Sequence, residues 1–197
     1  QMNRELYLCS LLMLAVFAGM IWYLADYVSS NQEALFNNSY NSQQRVLAQE
    51  NTRGTIYAGT GEVLAQTVIA EDGTSVREYP YKNIFAHVVG YTDKGKTGIE
   101  ELENYQLIHS DISDREKLDH ELAGEKNPGN DVYTTLDTSL QQAASDALGL
   151  YRGAIVVTEV KTGRVLAMVS KPDYDPNKIA ENWETLSTDK DKAALVN

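Results

Sequence analysis

Cysteine is almost absent from the chain, since Cys9 is the only one among 197 residues. A single thiol excludes an internal disulfide and a zinc site built from several thiolates. Basic residues are also scarce, with 17 Lys and Arg against 28 Asp and Glu and a formal charge of −11. Nucleic-acid-binding proteins need a basic face, and the three histidines lack metal-ligand spacing. We therefore expect no nucleic-acid partner and no metal. No glycine-rich phosphate loop follows a predicted strand, so we also expect no cofactor.

Charged residues are missing altogether from residues 6–24, which read LYLCSLLMLAVFAGMIWYL. A membrane-spanning helix needs about 20 apolar residues. A cleaved signal peptide has a shorter apolar stretch and a small-x-small cleavage site, and a buried core helix is the remaining alternative. We expect residues 1–27 to be a single-pass anchor. Arg4 before the run and Asp26 after it favour an extracytoplasmic location for the rest of the chain.

Residues 28–130 combine a polar stretch with short strand patterns. The Asn- and Gln-rich segment 29–50 predicts an exposed helix or a stalk. Apolar residues at every second position predict a hairpin around Gly59-Thr60-Gly61, and Asp72-Gly73 predicts a second turn. The strongly charged segment 111–125 predicts a solvated helix. We expect an elongated, strand-rich domain here.

Residues 131–197 are more regular. Thr138, with Gln141 three positions later, fits a helical capping box. Apolar residues follow on one predicted face of this helix: Leu140, Ala143, Ala144, Ala147 and Leu148. Two nearly continuous apolar strands then flank a turn at Lys161-Thr162-Gly163, and such strands are typically buried on both faces. The fold class is therefore α+β, with the incomplete start of a second domain at the end.

Short motifs of serine acyl-transferases occur, but their context is wrong. An S-x-x-K begins at Ser187, S-x-N occurs at residues 29–31 and 39–41, and K-T-G occurs at residues 96–98 and 161–163. Ser187 lies in a charged stretch, the S-x-N copies lie in the polar segment, and the second K-T-G is a turn. We assign no catalytic residue in this chain.

A loop with the spacing of a calcium site follows these strands. Asp173, Asp175 and Asn177 alternate, but Lys178 occupies the position at which a calcium loop needs Gly. We therefore predict a turn built on Asp175 and Pro176.

Three ordered stretches resemble the class B penicillin-binding proteins, which are monofunctional cell-wall D,D-transpeptidases with one N-terminal anchor helix. The first is Arg53-Gly54-Thr55-Ile56 with residues 61–65. The second runs from Arg77-Glu78-Tyr79-Pro80 to Gly98-Ile99-Glu100, and the third covers residues 135–183. The motif positions that we select are Arg53, Gly54, Gly98, Glu100, Asp137, Gln141, Gly153, Thr162, Gly163, Asp175, Pro176 and Asn177.

The resemblance implies three parts: an anchor at 1–27, a pedestal of the dimerisation type at 28–130, and a truncated start of the transpeptidase domain at 131–197. It also implies that the nucleophilic serine lies beyond Asn197, so that this chain alone is inactive. Peptidoglycan stem peptides and β-lactams would then bind only the full-length protein. One departure is Ala58-Gly59, where the family has Asp-Arg, which is expected to reduce the ion pairs of the pedestal.

The resemblance further implies a place in the bacterial cytoplasmic membrane, with a SEDS-type glycosyltransferase as partner and a role in cell shape or cell division. A non-catalytic anchored interaction module is the alternative function. A secreted, strand-rich binding domain is the third possibility. Within the pedestal we expect Arg53 and Glu100 to form a pair that holds its two halves together.

Overall fold

The computed structural model describes residues 2–31, 42–70, 74–188 and 194–195. The predicted turn at 72–73 and the S-x-N pattern at 39–41 lie outside these ranges. Contacts group the chain into two compact units, residues 1–43 and residues 44–197.

The first unit contains helix α1, Met2–Ser30, which is 29 residues long. Its apolar side chains are exposed, with Leu14 at 72% and Trp22 at 73%. Within the described ranges, α1 is the one helix long and apolar enough to cross a membrane. Its length and composition fit the predicted anchor, although a signal sequence has the same properties.

The rest of the chain combines short helices with short strands, which confirms the predicted α+β class. The helices are α2 (Ser42–Glu50), α3 (Ala86–Val89), α4 (Gly98–Leu102), α5 (Asn104–Ile108), α6 (Asp114–Ala123), α7 (Thr138–Leu148) and α8 (Ile179–Thr188). The strands are β1 (Asn51–Thr52), β2 (Ile56–Tyr57), β3 (Val63–Ile69), β4 (Ser75–Glu78), β5 (Asn127–Pro128), β6 (Val132–Tyr133), β7 (Gly153–Thr158) and β8 (Val165–Lys171). Two short 3₁₀ helices cover Lys82–Phe85 and Pro176–Lys178.

A four-stranded sheet in the order β4-β3-β2-β6 lies against the main apolar core. Strand β2 is antiparallel to β3 and parallel to β6, so that Ile56 lies opposite both Ala65 and Val132. Ile56 and Ala65 are completely buried. Gly61, with φ +97°, lies in the tight turn between β2 and β3. The predicted hairpin at 59–61 is therefore confirmed.

Two glycines allow separate backbone segments to touch beside β1 and β5. Gly129 N donates to Thr52 O at 2.7 Å, and Gly54 N donates to Leu107 O at 2.8 Å. A Cβ added to Gly54 would lie 2.0 Å from Asn130 O. A side chain at position 54 would therefore force the two segments apart.

The charged segment 111–125 forms the predicted solvated helix, since α6 has no buried residue. Ser113 Oγ accepts a hydrogen bond from Glu116 N, and the Glu116 carboxylate accepts one from Ser113 N. This reciprocal capping box fixes the start of a helix that has little packing to stabilise it.

The predicted capping box of α7 is wrong. The N-cap is Asp137, whose Oδ1 accepts a hydrogen bond from Leu140 N at 2.9 Å. Thr138 Oγ1 instead bonds the Glu62 carboxylate at 3.1 Å. Gln141 is completely buried and its amide bonds groups outside the helix, so it cannot reach back to the helix start.

The predicted apolar face of α7 is also shifted. Gln141, Ala144 and Ser145 are buried, whereas Leu140 and Ala147 are exposed. The helix packs on β8 through the face that carries the Gln141 amide. The buried face of α7 is thus centred on the hydrogen-bonded Gln141 side chain, and not on the apolar residues that the periodicity predicted.

Strands β7 and β8 form the predicted hairpin around residues 161–163. Burial of these strands on both faces is wrong for the described residues. Val156 and Met168 lie opposite each other and are 55% and 36% exposed. Ala167 and Val169 alternate with them and are buried. A two-stranded sheet has no neighbouring strands, and within the described chain only one of its faces is covered.

Candidate functional site

A cluster of buried charges holds the strands and short helices of residues 53–108 together. Glu100, on α4, is completely buried. Arg53 Nε donates to its Oε2 at 2.6 Å, and Arg77 Nε donates to its Oε1 at 2.8 Å. The predicted contact between Arg53 and Glu100 is therefore present. We call Arg53, Arg77 and Glu100 the ion cluster.

Further hydrogen bonds fix the two guanidinium groups. Arg53 Nη2 donates to Glu100 O at 2.6 Å, and Arg53 Nη1 donates to Asn104 Oδ1 at 2.8 Å. Arg77 Nη1 donates to Gly54 O at 2.6 Å. Each arginine thus bonds both a carboxylate oxygen and a neighbouring polar group, and among the described residues only Arg77 Nη2 of the two guanidinium groups has no hydrogen-bond partner.

The ion cluster carries two positive charges and one negative charge. Burial lowers the pKa of Arg53; Glu100 opposes this effect, and the charge of Arg77 adds to it. Tyr79 OH donates to Glu100 Oε1 at 3.3 Å. Burial, followed by the nearby Glu100 carboxylate, raises the pKa of Tyr79. Tyr79 therefore remains a neutral hydrogen-bond donor at physiological pH.

Asn177 connects the last third of the chain to Tyr79. Tyr79 N donates to Asn177 Oδ1 at 2.9 Å, and Asn177 Nδ2 donates to Tyr79 O at 3.0 Å. We call these two bonds the Tyr79–Asn177 clamp. Asp175 Oδ1 accepts from Asn177 N at 3.0 Å, and Pro176 begins a 3₁₀ helix. The predicted turn on Asp175 and Pro176 is confirmed, and it positions the Asn177 amide.

A small aromatic cluster packs beside the clamp. Tyr174 OH donates to Ala86 O at 2.9 Å, and burial raises the pKa of Tyr174 to about 12. The Tyr91 ring meets the rings of Tyr174 and Trp183 edge-on, with centroid distances of 5.7 and 6.4 Å. The hydrogen bond joins α3 to the loop before α8, and the ring contacts join Tyr91, two residues after α3, to that loop and to α8 itself.

Gln141 makes a third connection between distant segments. Its Nε2 donates to Ile84 O and to Met168 O, both at 2.8 Å, and its Oε1 accepts from Met168 N at 2.8 Å. One buried amide thus joins α7, β8 and the 3₁₀ helix Lys82–Phe85. Its selection as a motif residue stays a prediction, but its local role differs from the capping role expected.

The structure brings only some of the selected motif residues together. Arg53, Gly54 and Glu100 are in or beside the ion cluster, and Gly98 begins the helix that carries Glu100. Asp175, Pro176 and Asn177 form the clamp loop, and Asp137 caps α7. Gly153, Thr162 and Gly163 belong to the β7–β8 hairpin.

Arg77 and Tyr79 are the site residues that the motif selection missed. They are two positions apart, and successive side chains alternate between the two faces of a strand, so both reach Glu100. A basic and an aromatic residue at this spacing in a predicted strand is the signal that could have identified them.

The environment of Ser187 is that of a helix surface. It is exposed on α8, and its Oγ donates to Glu184 O at 3.4 Å. The lysine of its S-x-x-K pattern, Lys190, lies outside the described residues. Among the side chains that the structure describes, no group of three or more His, Cys, Asp or Glu could hold a metal ion.

Two family models match the chain in sequence order. The Penicillin binding protein A dimerisation domain matches residues 53–132, and the Penicillin binding protein transpeptidase domain matches residues 153–193. The first match contains the ion cluster, and the second contains Asn177. The clamp therefore connects the regions that the two models cover.

Similar proteins include two peptidoglycan D,D-transpeptidases and a solved penicillin-binding protein. Peptidoglycan D,D-transpeptidase PbpA of Mycolicibacterium smegmatis is 39% identical over 74% of this chain and 33% of its own length. Escherichia coli MrdA, also a peptidoglycan D,D-transpeptidase, is 33% identical over 64% of this chain and 24% of its own. Penicillin-binding protein A from M. tuberculosis, solved as an imipenem acyl-enzyme, matches with 33% identity and a TM-score of 0.65, covering 75% of this chain and 37% of that one. The chain thus spans about a third, or less, of the length of these proteins.

An apolar N-terminal helix, a dimerisation-type domain and the start of a transpeptidase domain together define a penicillin-binding protein. The relatives PbpA and MrdA are D,D-transpeptidases. The chain belongs to the penicillin-binding proteins of class B, as its motifs predicted.

Proposed function

We propose that the chain is the N-terminal part of a membrane-anchored enzyme that cross-links peptidoglycan by D,D-transpeptidation. The observation that carries the proposal is the ordered pair of family matches at residues 53–132 and 153–193. The nucleophilic serine of this enzyme lies beyond residue 197. Its Oγ attacks the carbonyl of the penultimate D-Ala, terminal D-Ala leaves, and an amine of a neighbouring stem peptide resolves the acyl-enzyme.

Within this enzyme, residues 1–27 are the anchor, residues 28–130 the pedestal and residues 131–197 the start of the transpeptidase domain. The exposed apolar surface of α1 supports an anchor in the bacterial cytoplasmic membrane. The end of the first family match at residue 132 supports the border between pedestal and transpeptidase domain. Stem peptides and β-lactams bind the transpeptidase domain of the longer protein, in which cross-linking serves cell shape or cell division.

The ion cluster and the Tyr79–Asn177 clamp give this part of the enzyme its role, which is to hold the transpeptidase domain in a fixed orientation. Glu100 is bonded to two arginines and to Tyr79, and the backbone of Tyr79 is bonded to Asn177. A continuous chain of hydrogen bonds therefore runs from the pedestal into the start of the second domain. The selected motif residues act as structural positions and not as chemical groups of the reaction.

Fluorescent penicillin tests the proposal. The longer protein should form a covalent adduct that survives denaturation, since β-lactams acylate the nucleophilic serine. The 197-residue chain should form none. Labelling of the 197-residue chain would show that the nucleophile lies within residues 1–197, which contradicts the proposal. A longer protein that is not labelled would contradict the proposed transpeptidase activity.

The second candidate function is a non-catalytic, membrane-anchored module that binds a cell-wall glycosyltransferase of the SEDS type. The side chains of α1 favour it, because the helix exposes apolar groups that another membrane helix could cover. Co-purification of the chain with such a glycosyltransferase, lost when α1 is exchanged for an unrelated membrane helix, would support this function. Co-purification that survives the exchange would assign any contact to the pedestal instead.

A further inference from the structure

Strand β4 lies at one end of the four-stranded sheet, whose order is β4-β3-β2-β6. It pairs with β3 on one side, and within the described chain no strand pairs with its other side. Such an edge presents unpaired N–H and C=O groups, which are a template for another strand. Val76 of β4 and Val68 of β3 lie opposite each other and are 51% and 41% exposed. The edge of β4 therefore combines open backbone groups with exposed apolar side chains.

The register of β3 and β4 shows which backbone groups of β4 point outward. Ala70 N donates to Thr74 O at 2.8 Å, and hydrogen-bonded pairs alternate with non-hydrogen-bonded pairs along an antiparallel ladder. The even-numbered residues of β4 therefore bond β3. Ser75 and Arg77 direct their N–H and C=O groups away from β3, where no described residue bonds them.

Asn177 already occupies the next position on this edge. Tyr79 continues the alternation after Ser75 and Arg77, and the Asn177 side-chain amide bonds both its N–H and its C=O. The amide thus pairs with Tyr79 as a neighbouring strand would. A further strand on this edge can pair only with the residues before Tyr79, which restricts its register.

We propose that β4 pairs with β4 of a second copy of the chain, antiparallel and about a two-fold axis at Val76. Ser75 exchanges backbone hydrogen bonds with Arg77 of the second copy, and Arg77 does so with Ser75 of the second copy. The two Val76 residues form the close, non-hydrogen-bonded pair between them, with a Cα distance of about 4.5 Å. Both copies use the same surface, so the contact closes on itself and joins the two sheets into one.

The side chains of β4 favour pairing with a second copy. Arg77 lies opposite Ser75 of the second copy, and Glu78 lies opposite Thr74 of the second copy, so no like charges face each other. The two Glu78 residues are about 14 Å apart, because each lies two positions from the axis. Arg77 remains bonded to Glu100 of its own copy. The residue that meets its own equivalent at the axis is the exposed, apolar Val76.

Disulfide trapping tests this pairing in the full 197-residue chain in detergent micelles. Cys9 is the only cysteine, so it is first replaced by serine. Val76→Cys should then form an intermolecular disulfide with oxidised glutathione, because its Cα distance to the second copy is within the range that a disulfide spans. Val68→Cys is the matched control, since it lies on the same face but about 14 Å, or three strand spacings, from its equivalent. It should form no disulfide, and neither should Glu78→Cys.

Sedimentation of the Cys9→Ser chain is the second measurement. It should show a monomer–dimer equilibrium that Val76→Lys shifts about fivefold or more toward the monomer, because two ammonium groups meet at the axis. Val68→Lys should shift it by less than about twofold. Equal trapping at all three cysteine positions would indicate random collision or association through α1, and it would overturn the proposal. A dimer that is insensitive to Val76→Lys, or a chain that stays monomeric without a disulfide at position 76, would also overturn it.

Discussion

The side chain of Asn177 satisfies both backbone polar groups of Tyr79, a residue 98 positions earlier in the chain. Tyr79 is buried, and its phenol reaches the Glu100 carboxylate. Tyr79 therefore contacts the ion cluster through its side chain, and it contacts the start of the transpeptidase domain through its backbone. The predictions below concern this connection and the groups on either side of it.

Replacing Asn177 with alanine should lower the free energy of unfolding by about 1–3 kcal/mol, because it leaves the Tyr79 N–H without its partner and the Tyr79 C=O with only the hydrogen bond from Lys82 N at 3.1 Å. Urea unfolding of the chain in detergent micelles measures this change. Asn83→Ala is the control, since the Asn83 side chain makes an exposed hydrogen bond to the Asp173 carboxylate at 2.9 Å, and it should cost less than about 0.5 kcal/mol. Equal losses for the two variants would contradict the importance of the clamp.

Removing Glu100 should be more damaging than removing Arg53. Glu100→Gln leaves two buried guanidinium groups facing each other without a counter-charge, whereas Arg53→Met leaves the pair between Arg77 and Glu100. Loss of one partner of a buried pair costs about 3–5 kcal/mol. We expect Glu100→Gln to lower the free energy of unfolding by about this amount, and Arg53→Met to lower it by less.

The double variant measures the Arg53–Glu100 interaction itself. The two residues are in contact, so their combined effect should depart from the sum of the single effects by more than about 0.5 kcal/mol. Strict additivity in urea unfolding would show that the contact contributes nothing to stability.

Stability should fall as the pH rises above about 10, the ordinary pKa of tyrosine. The folded-state pKa of Tyr79 is raised by burial and by Glu100, and burial raises that of Tyr174 to about 12. The unfolded chain therefore loses these protons first, and unfolding becomes more favourable with increasing pH. Each group contributes at most about 1.4 kcal/mol per pH unit in this window.

Tyr79→Phe isolates the contribution of one phenol to this pH dependence. The variant should be less stable at neutral pH, because it loses the bond to Glu100, but its stability should decline less steeply above pH 10, by up to about 1.4 kcal/mol per pH unit. The free energy of unfolding at several alkaline pH values gives the slope. An unchanged slope would mean that Tyr79 ionises equally in both states.

A methyl group at position 54 should destabilise the pedestal. Its Cβ would lie 2.0 Å from Asn130 O, a backbone atom that can move only with the chain segment between β5 and β6. Gly54→Ala should cost about 3 kcal/mol, the upper end of ordinary overpacking effects. In Gly59→Ala the corresponding distance is 3.2 Å, and the change should stay within about 1 kcal/mol. Equal thermal stability of the two variants would contradict the close approach at Gly54.

Local sequence patterns predicted the elements that depend on neighbouring residues. The glycine turn at 59–61, the solvated helix after Ser113 and the turn on Asp175 all follow from spacing and side-chain type. The Arg53–Glu100 contact was predicted from family motifs that lie far apart in sequence.

The remaining features depend on tertiary contacts that local patterns do not contain. Gln141 bonds backbone atoms of Ile84 and Met168, 57 and 27 positions away, so a capping box was the wrong interpretation of its spacing. Val156 has an apolar side chain that suggested burial, but within the described chain no element covers its face of the hairpin. Composition predicts which surfaces can be buried, and only the packing shows which are.

A double-variant cycle between Glu100→Gln and Asn177→Ala tests the central claim, that Tyr79 couples the ion cluster to the start of the transpeptidase domain. Both residues bond Tyr79 and not each other. Urea unfolding of the chain should show a coupling of more than about 0.5 kcal/mol, since sites that share a partner are not independent. Effects that add to within about 0.3 kcal/mol would contradict the claim.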